Sequence, residues 1–309
     1  MENTPVIEIK NLEKDYGQGR GIFGVSFVVH KSECFGFLGP NGAGKSTTIR
    51  HLMGFSKPDH GETLINGQNT LKNRDEVMRS VSYLPGEIAL PDALTGKEFI
   101  DIQCSLKNVV DYTFRDYLIN LFKLDTSLLC KEMSLGMKRK LAVVCCLMND
   151  PDIIIMDEPS SGLDPEMQEV FIQLVEREKK RGKTILMSSH IFKEIDASCD
   201  RIAVIKDGKI VSLFKSSELK HKTLKTYVVT FINLNDLNEF LHDDHIDFKI
   251  VDYHKDKYQV VISVDDSKIN SFIKETSKYE VTDLTEIKET LEDYFMSFYK
   301  EEKTYVGVK

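Results

Sequence analysis

The sequence predicts an α/β fold with a mostly parallel sheet, followed by a small α+β module. Short apolar runs alternate with segments of helical periodicity between about residues 6 and 206, an order typical of parallel sheets. The run at 152–157 has the length and composition of a buried strand. After about residue 215 the chain becomes polar and rich in Lys and Ser, which indicates the end of the first domain.

The first 150 residues contain several recognisable elements. Val6-Ile7-Glu8-Ile9 alternates as a half-buried strand does, and the glycines from Gly17 to Gly24 predict a turn before a second strand. Glu62–Ile65 enters an Asn66-Gly67 turn. Residues 87–149 show mostly helical periodicity. The predicted strands here are 6–9, 25–29, 34–38 and 62–65, and the stretch 46–53 has helical spacing.

Beyond residue 150 the alternation continues and then changes character. We predict strands at 152–157, 184–188 and 201–206, and an amphipathic helix at 165–181. These elements complete a first domain over residues 1–215, with a helical subdomain at about 88–149. Residues 216–225 are predicted to be a linker. The module at 226–309 is predicted to contain strands at 226–232, 246–252, 258–264 and 280–286 and helices at 235–243, 266–277 and 288–300, which resembles a ferredoxin-like unit.

Composition and charge exclude several classes of protein. The 309 residues carry 41 Lys and Arg against 49 Asp and Glu, a net charge of −8, so we predict no nucleic-acid partner. The chain has no 18-residue apolar run, and its first ten residues do not resemble a signal peptide. The six cysteines form no CxxC pair, which is typical of reduced thiols in the cytosol.

One segment matches the phosphate-binding pattern GxxxxGK[ST] in full, between an apolar strand and a helix. Its glycines allow the backbone to approach phosphate, and successive N–H groups at a helix N-terminus favour an anion. Lys45 can reach the β- and γ-phosphates of ATP, and the Ser46 hydroxyl can bind Mg²⁺. The segment is Gly39, Pro40, Asn41, Gly42, Ala43, Gly44, Lys45, Ser46 and Thr47.

A second acidic motif ends the strand at 152–157. Asp157 at the end of a buried strand is suited to holding Mg²⁺ beside the phosphate loop, as in P-loop NTPases. The next residue, Glu158, can orient and polarise an attacking water. An Asp-Glu pair alone is common on protein surfaces. Together with the upstream phosphate loop, however, this pair indicates a site for Mg²⁺ and the attacking water.

Further segments resemble the nucleotide-binding subunit of an ABC transporter, of the exporter-like type with a separate permease. Met133–Arg139 resembles the signature loop, Ser160–Pro165 resembles the D-loop, and Ser188-Ser189-His190 resembles the switch-histidine loop. Tyr16 resembles the aromatic residue that stacks on adenine. The resemblance covers roughly residues 5–215. It implies a P-loop ABC ATPase domain with a parallel sheet core, an antiparallel β subdomain and a helical subdomain.

The resemblance also implies a function and partners. Two copies, identical or different, would dimerise head to tail, with each ATP held between one phosphate loop and the other copy's signature loop through Ser134 and Gly136. Asp164 would lie close to the nucleotide, and His190 would hold the water together with Glu158. An integral-membrane permease would keep the subunit at the cytoplasmic face of the membrane, while the cargo is not encoded in this chain.

The sequence departs from the family pattern at two places. Leu135 and Met137 flank the signature glycine, in a form that resembles many bacterial exporter ATPases. Gly86 stands where the family usually has the glutamine of the Q-loop. Either Glu87 replaces that glutamine as a metal ligand, or the metal keeps an additional water, which Mg²⁺ tolerates.

Two other functions stay open at this stage. A soluble ABC-type ATPase could act on ribosomes or DNA without a permease, although the single cassette, the lack of a long coiled coil and the acidic charge count against it. The C-terminal module could have a regulatory role. Apolar residues of the helical subdomain are predicted to be mainly its core: Phe99, Ile100, Phe114, Tyr117, Leu118, Leu121 and Phe122.

Overall fold

The computed structural model describes residues 4–220, 224–243, 248–287 and 290–300. It consists of two compact units, Met1–Ser216 and Ser217–Lys309. The strands of the first unit are β1 Pro5–Asp15, β2 Gly21–His30, β3 Cys34–Leu38, β4 His60–Ile65, β5 Gln68–Asn69, β6 Val81–Leu84, β7 Ile153–Asp157, β8 Thr184–Ser189, β9 Arg201–Lys206 and β10 Lys209–Lys215. Its helices are α1 Lys45–Leu52, α2 Arg74–Ser80, α3 Gly96–Leu106, α4 Thr113–Leu121, α5 Leu135–Leu147, α6 Pro165–Lys180 and α7 Phe192–Ser198, and α8 Ser216–Lys220 spans the boundary.

A six-stranded sheet in the order β10-β9-β3-β8-β7-β6 forms the centre of this unit. Its strands run parallel except for β10, which pairs antiparallel with β9. Every residue of β3 and β7 is buried, as their apolar composition predicts. Leu38 pairs with Ser189, and Asp157 pairs with Ser188. The loops that follow β3, β7 and β8 therefore meet at one edge of the sheet.

A second, antiparallel sheet has the order β2-β1-β4-β5. Alternate residues of β1 and β2 point into a core shared with β3 and α1, which includes Ile7, Val25, Phe35 and Ile49. Within it the rings of Phe27 and Phe35 stack with centroids 4.9 Å apart. This packing fixes α1, and with it the phosphate loop, between the two sheets.

Three helices, α3, α4 and α5, form the helical part between residues 88 and 149, where helical periodicity was predicted. Thr95 begins α3 with a capping box: its side chain accepts from the Glu98 amide, and Glu98 accepts from the Thr95 amide. Of the apolar residues predicted to be core, Ile100, Leu118 and Phe122 are buried, whereas Tyr117 is exposed. The described part of the chain has no helix that is both long and apolar enough to span a bilayer.

The second unit contains β11 Leu224–Phe231, α9 Leu234–Leu241, β12 Lys249–His254, β13 Gln259–Asp265, α10 Ile269–Thr276, β14 Val281–Ile287 and α11 Leu291–Lys300. Its sheet has the order β12-β13-β11-β14 with all neighbours antiparallel. That order, with the connections β-α-β-β-α-β, is the topology of a ferredoxin-like unit. Its core includes Val229, Phe231, Phe240, Ile262 and Phe272.

Several predicted boundaries differ from the structure. The predicted linker 216–225 contains the short helix α8 and the start of β11, because Glu218 and its neighbours are good helix formers despite their polarity. The predicted helix 266–277 begins as a 3₁₀ turn at Asp266–Lys268. Residues 244–247 and 288–289, at the start of the predicted strand 246–252 and helix 288–300, lie outside the described residues.

Candidate functional site

The phosphate loop joins β3 to α1 through glycines in a conformation that other residues rarely adopt. Gly42 has φ of +82° and Gly44 has φ of +109°. A Cβ atom at Gly44 would lie 2.7 Å from Ile22 Cγ2, so a side chain there would be both strained and crowded. Gly44 also begins α1 without a side-chain cap. The amide groups of the first helical turn are therefore available to an anion.

Lys45 is the first residue of α1, and its side chain is only 5% exposed. Its ammonium Nζ donates to the Gly39 carbonyl at 2.5 Å and to the Pro40 carbonyl at 3.0 Å. It also forms an ion pair with Glu158 Oε1 at 3.0 Å. These contacts fold the long side chain back over the loop, which places its charge where the loop can receive a phosphate.

Asp157 and Glu158 follow β7 at the same edge of the sheet. Asp157 is 3% exposed, and its Oδ1 accepts a hydrogen bond of 2.5 Å from Ser188 Oγ on β8. Glu158 has φ of +48°, which is unusual for a residue with a side chain. Its amide donates to the Ser188 carbonyl at 3.1 Å. Glu158 Oε2 lies 2.6 Å from His190 Nδ1, so the carboxylate lies between Lys45 and His190.

The loop after β6 closes the other side of the site. A Cβ atom at Gly86 would lie 3.1 Å from Asp157 Oδ2, so any side chain at this position would face the carboxylate. The loop borders a cavity of about 500 Å³ at the carboxyl edge of the sheet. The cavity is lined by Asn41, Ser46, Arg50, Phe55, Tyr83, Pro85, Gly86, Glu87, Asp157, Glu158, Ser161 and His190.

The predicted signature loop packs against the D-loop, of which Ser161 lines the cavity. A Cβ atom at Gly136 would lie 2.9 Å from the Gly162 carbonyl oxygen. Ser134 begins α5 and accepts from the Met137 amide at 3.3 Å, and Asp164 begins α6 and accepts from the Met167 amide at 2.9 Å. In this chain both side chains thus act as helix caps, and both residues are exposed.

A relative of known function matches nearly the whole chain. The bacitracin transport ATP-binding protein BcrA of Bacillus licheniformis is 33% identical over 306 residues, 95% of this chain and 97% of the relative. This chain belongs to the ABC transporter family. It is an ATP-binding subunit that hydrolyses ATP to ADP and phosphate, coupled to transport.

Three other comparisons agree with the assignment to ABC transporters. The ABC transporter family model matches residues 22–161. The Nod factor export ATP-binding protein I of Ralstonia nicotianae is 34% identical over 224 residues, which are 70% of this chain and 69% of that protein. A solved ATP-binding subunit of an ABC transporter superposes with a TM-score of 0.63 at 28% identity, over 70% of this chain and 92% of that chain.

The ABC ATPase unit brings together most of the residues that its sequence singles out. Asn41, Ser46, Glu87, Asp157, Glu158 and His190 line one cavity, with the Lys45 ammonium in contact with Glu158. Ser134, Gly136 and Asp164 lie outside the lining of that cavity. Tyr16 also lies outside it; its ring is 59% exposed, and the Lys14 ammonium lies 5.9 Å from the ring centroid.

Sequence reasoning missed several residues of the ABC site. Arg50 lies four residues after Ser46 on α1, and this spacing places both on one helix face, a signal that could have identified it. Phe55 and Tyr83 meet edge to face with ring centroids 5.7 Å apart, and no local pattern joins them. Burial, with a smaller effect of Asp157, raises the pKa of Tyr83 to about 12, so the phenol stays neutral.

Proposed function

We propose that two copies of this subunit close head to tail around ATP and Mg²⁺ and drive a separate membrane permease for export. One observation carries the proposal: Lys45, Glu158 and His190 meet at the carboxyl edge of the central sheet. The Lys45 ammonium and Glu158 are 3.0 Å apart, and Glu158 and His190 are 2.6 Å apart. A cation for phosphate, a carboxylate for water and a histidine that orients the carboxylate are the groups that this hydrolysis requires.

The exposed signature loop supports the proposal that two copies dimerise. Ser134 and Leu135 are exposed, and Leu135 is 63% exposed although it is a large apolar residue. Both lie at the N-terminus of α5, a helix of 13 residues, where amide groups and the helix dipole favour negative charge. Because this N-terminus lies outside the cavity of its own chain, we infer that it serves the nucleotide of a second copy.

The residues of the site have distinct roles in the proposed reaction. The amides of the phosphate loop bind the β- and γ-phosphates, and Lys45 exchanges the Glu158 carboxylate for phosphate oxygens. Glu158 then orients a water for in-line attack on the γ-phosphorus and accepts its proton as the bond to ADP breaks. His190 holds the carboxylate through Nδ1. The amides and Lys45 spread the charge that develops on the phosphoryl group.

The oxygen donors at this edge fit Mg²⁺, a hard cation that prefers carboxylates and hydroxyls. Ser46, Asp157 and Glu87 all line the cavity, and the space beside Asp157 Oδ2 is free of a side chain at Gly86. These three residues would hold the ion. When bound, Mg²⁺ would supply positive charge that neutralises part of the charge of the phosphates.

An exposed apolar surface on the helical subdomain supports the proposal of a permease as partner. Ile102 and Leu106 lie four residues apart on one face of α3 and are 44% and 70% exposed. Val110 and Tyr112 follow, at 91% and 46% exposed. We refer to these four residues as the α3 patch. Several large apolar residues that are exposed and close together in the chain indicate a candidate interaction site. The relatives named for bacitracin transport and Nod factor export favour export as the direction.

Affinity purification tests the proposal. Tagged Glu158→Gln protein, in which hydrolysis is slowed and the ATP-bound state persists, is purified with Mg-ATP from detergent-solubilised membranes of its own host. We expect a protein with several membrane spans in about stoichiometric yield, whose identity then points to the cargo. A mock purification from untagged cells is the control.

A different set of partners would overturn the proposal. Recovery of ribosomal or DNA-repair proteins without any membrane protein would assign the subunit to the soluble ABC ATPases. The net charge of −8 makes that outcome the less expected one.

A further inference from the structure

Arg139 is a buried cation on α5 that reaches two loops of the nucleotide site. It is 3% exposed and lies in the second turn of the helix. Its Nε donates to the Ser161 carbonyl at 3.0 Å. Its Nη1 donates to the Pro85 carbonyl at 3.0 Å, and its Nη2 donates to the Gly86 carbonyl at 2.6 Å. One guanidinium thus joins three carbonyls from two segments that are distant in sequence.

Both segments border the cavity that holds Asp157 and Glu158. Pro85, Gly86 and Ser161 all line it, and Gly86 faces the Asp157 carboxylate. The Ser161 amide donates to the Glu158 carbonyl at 3.2 Å, so Ser161 closes the turn that begins at Glu158. Arg139 itself is not part of the lining. Its hydrogen bonds therefore reach the site through the main chain of these two segments.

The geometry of these contacts requires arginine. A guanidinium offers five N–H groups in a rigid plane, whereas a lysine ammonium is a compact charge on a flexible stem. Lysine at this position could reach one of the two segments but could not bridge both with fixed geometry. Burial lowers the pKa of Arg139, while the charges of Asp157, Glu158 and Glu194 oppose that shift. These three carboxylates compensate for the buried charge.

Arg139 also belongs to the helix that carries the signature loop. Ser134 begins this helix, and Arg139 lies five residues further on. In the proposed dimer the signature loop serves the nucleotide of the other copy, whereas Pro85, Gly86 and Ser161 border the nucleotide of its own copy. The same helix thus connects to both sites, a consequence that rests on the proposed function.

We propose that Arg139 is a positioning residue that fixes the Pro85–Gly86 segment and Ser161 beside the Asp157 and Glu158 carboxylates. It links the signature helix of one ATP site to the reacting groups of the other. Lys45 and the phosphate-loop amides do not belong to the hydrogen-bond network of Arg139. The binding of ATP itself therefore does not depend on Arg139.

Substitution by lysine and glutamine tests this role in the full-length protein. For Arg139→Lys and Arg139→Gln we expect kcat for ATP hydrolysis to fall about 10- to 100-fold, since small displacements of reacting groups have effects of this size. We expect the ATP affinity measured by calorimetry without Mg²⁺ to change less than twofold. Amide hydrogen exchange in a peptide covering residues 83–90 should rise, while exchange within α5 should stay at the wild-type level.

The control is Lys140→Gln, at the next position of α5, which should match the wild type in all three measurements. A wild-type kcat in Arg139→Lys would mean that charge alone is needed, and the proposal would be wrong. Loss of ATP affinity together with kcat, raised exchange throughout α5, or failure of both variants to fold would make Arg139 a structural residue and would also overturn it. Absence of ATP hydrolysis in the wild type would contradict the assigned activity instead.

Discussion

Glu158 combines an unfavourable backbone conformation with two favourable side-chain contacts. Its φ of +48° costs roughly 1 kcal/mol for a residue with a Cβ atom. The conformation turns the chain sharply after β7, so that adjacent residues serve different purposes: Asp157 is directed to Ser188, and Glu158 to Lys45 and His190. Strain at this point thus gives two consecutive carboxylates separate roles.

Glu194 on α7 is a buried carboxylate next to the switch loop, and it should make stability depend on pH. Its Oε2 accepts from Ser189 Oγ at 2.6 Å, while Oε1 has no hydrogen-bond partner in the described structure. Burial raises its pKa to about 7, and the charge of Glu158 adds to the rise; Ser189, Ser160 and Arg139 oppose it. The unfolded chain loses this proton near pH 4.5. Between these values the folded state binds more protons, so stability falls as pH rises.

Glu194→Gln should remove this pH dependence. From pH 5 to pH 8 we expect the wild type to lose roughly 2–4 kcal/mol of its free energy of unfolding through Glu194. The variant should not show this loss, because glutamine has no charge to bury. Urea unfolding at both pH values measures the difference. Glu132→Gln, at an exposed position, is the matched control and should show no change. An equal difference at both pH values for Glu194→Gln would show that the carboxyl does not titrate in this range.

Local sequence could predict the residues proposed to bind phosphate, but not the residues proposed to position them. Lys45 and Ser46 lie in a continuous motif whose spacing is fixed by the loop itself. Asp157 and Glu158 follow a strand that is apolar over its whole length. Arg139 and Glu194, by contrast, acquire their roles from contacts with segments distant in the chain. Such contacts depend on the packing of helices and loops, which periodicity does not specify.

At the scale of elements, wholly apolar strands and the long amphipathic helix were predictable, whereas short segments of mixed composition were not. β3, β7 and α6 lie within one residue of their predicted bounds. The sequence analysis did not identify α2, β6, α7 and β10, which have four to seven residues each. Such segments are too short for two periods of a helix or a clear alternation, so tertiary contacts decide their conformation.

The exposed face of α3 leads to a prediction about the permease. Leu106→Asp introduces a charge into the α3 patch, and we expect the yield of co-purified permease to fall about tenfold or more, as for a central interface residue. ATP hydrolysis by the isolated subunit should change less than twofold, because the patch lies outside the lining of the nucleotide cavity. Lys97→Gln, which alters the charge by the same amount at another exposed position of α3, should retain the permease. Normal yield with Leu106→Asp would exclude the patch as the docking surface.

At the scale of the whole molecule, one chain contains both halves of a nucleotide site but does not join them. Ser134, at the N-terminus of α5, is not part of the lining of the cavity beside Lys45, and the next residues of this loop, Leu135 and Gly136, lie against Gly162 of the D-loop segment. In the proposed head-to-tail pair, each half would meet its complement twice, so two copies would hold two ATP molecules.

The proposed head-to-tail pair predicts an ATP-dependent dimer. Glu158→Gln should lower the rate of ATP hydrolysis by about 10²- to 10⁴-fold, since it removes the general base, while leaving Lys45 and the phosphate loop intact. The variant with Mg-ATP should elute at twice the mass of one chain in size-exclusion chromatography with light scattering, and at the mass of one chain with ADP. In the proposed pair, ATP would hold the two copies together because both would contact its γ-phosphate.

Lys45→Ala is the control for this dimer, because it lacks the ammonium that binds the phosphates and should stay monomeric with either nucleotide. A Glu158→Gln protein that remains monomeric in Mg-ATP but hydrolyses it at the wild-type rate would show that another residue orients the water. A protein that stays monomeric, with hydrolysis abolished and ATP still bound, would instead require a different subunit as its partner. The first result would contradict the role of Glu158, and the second would contradict the proposal that the partner is an identical copy.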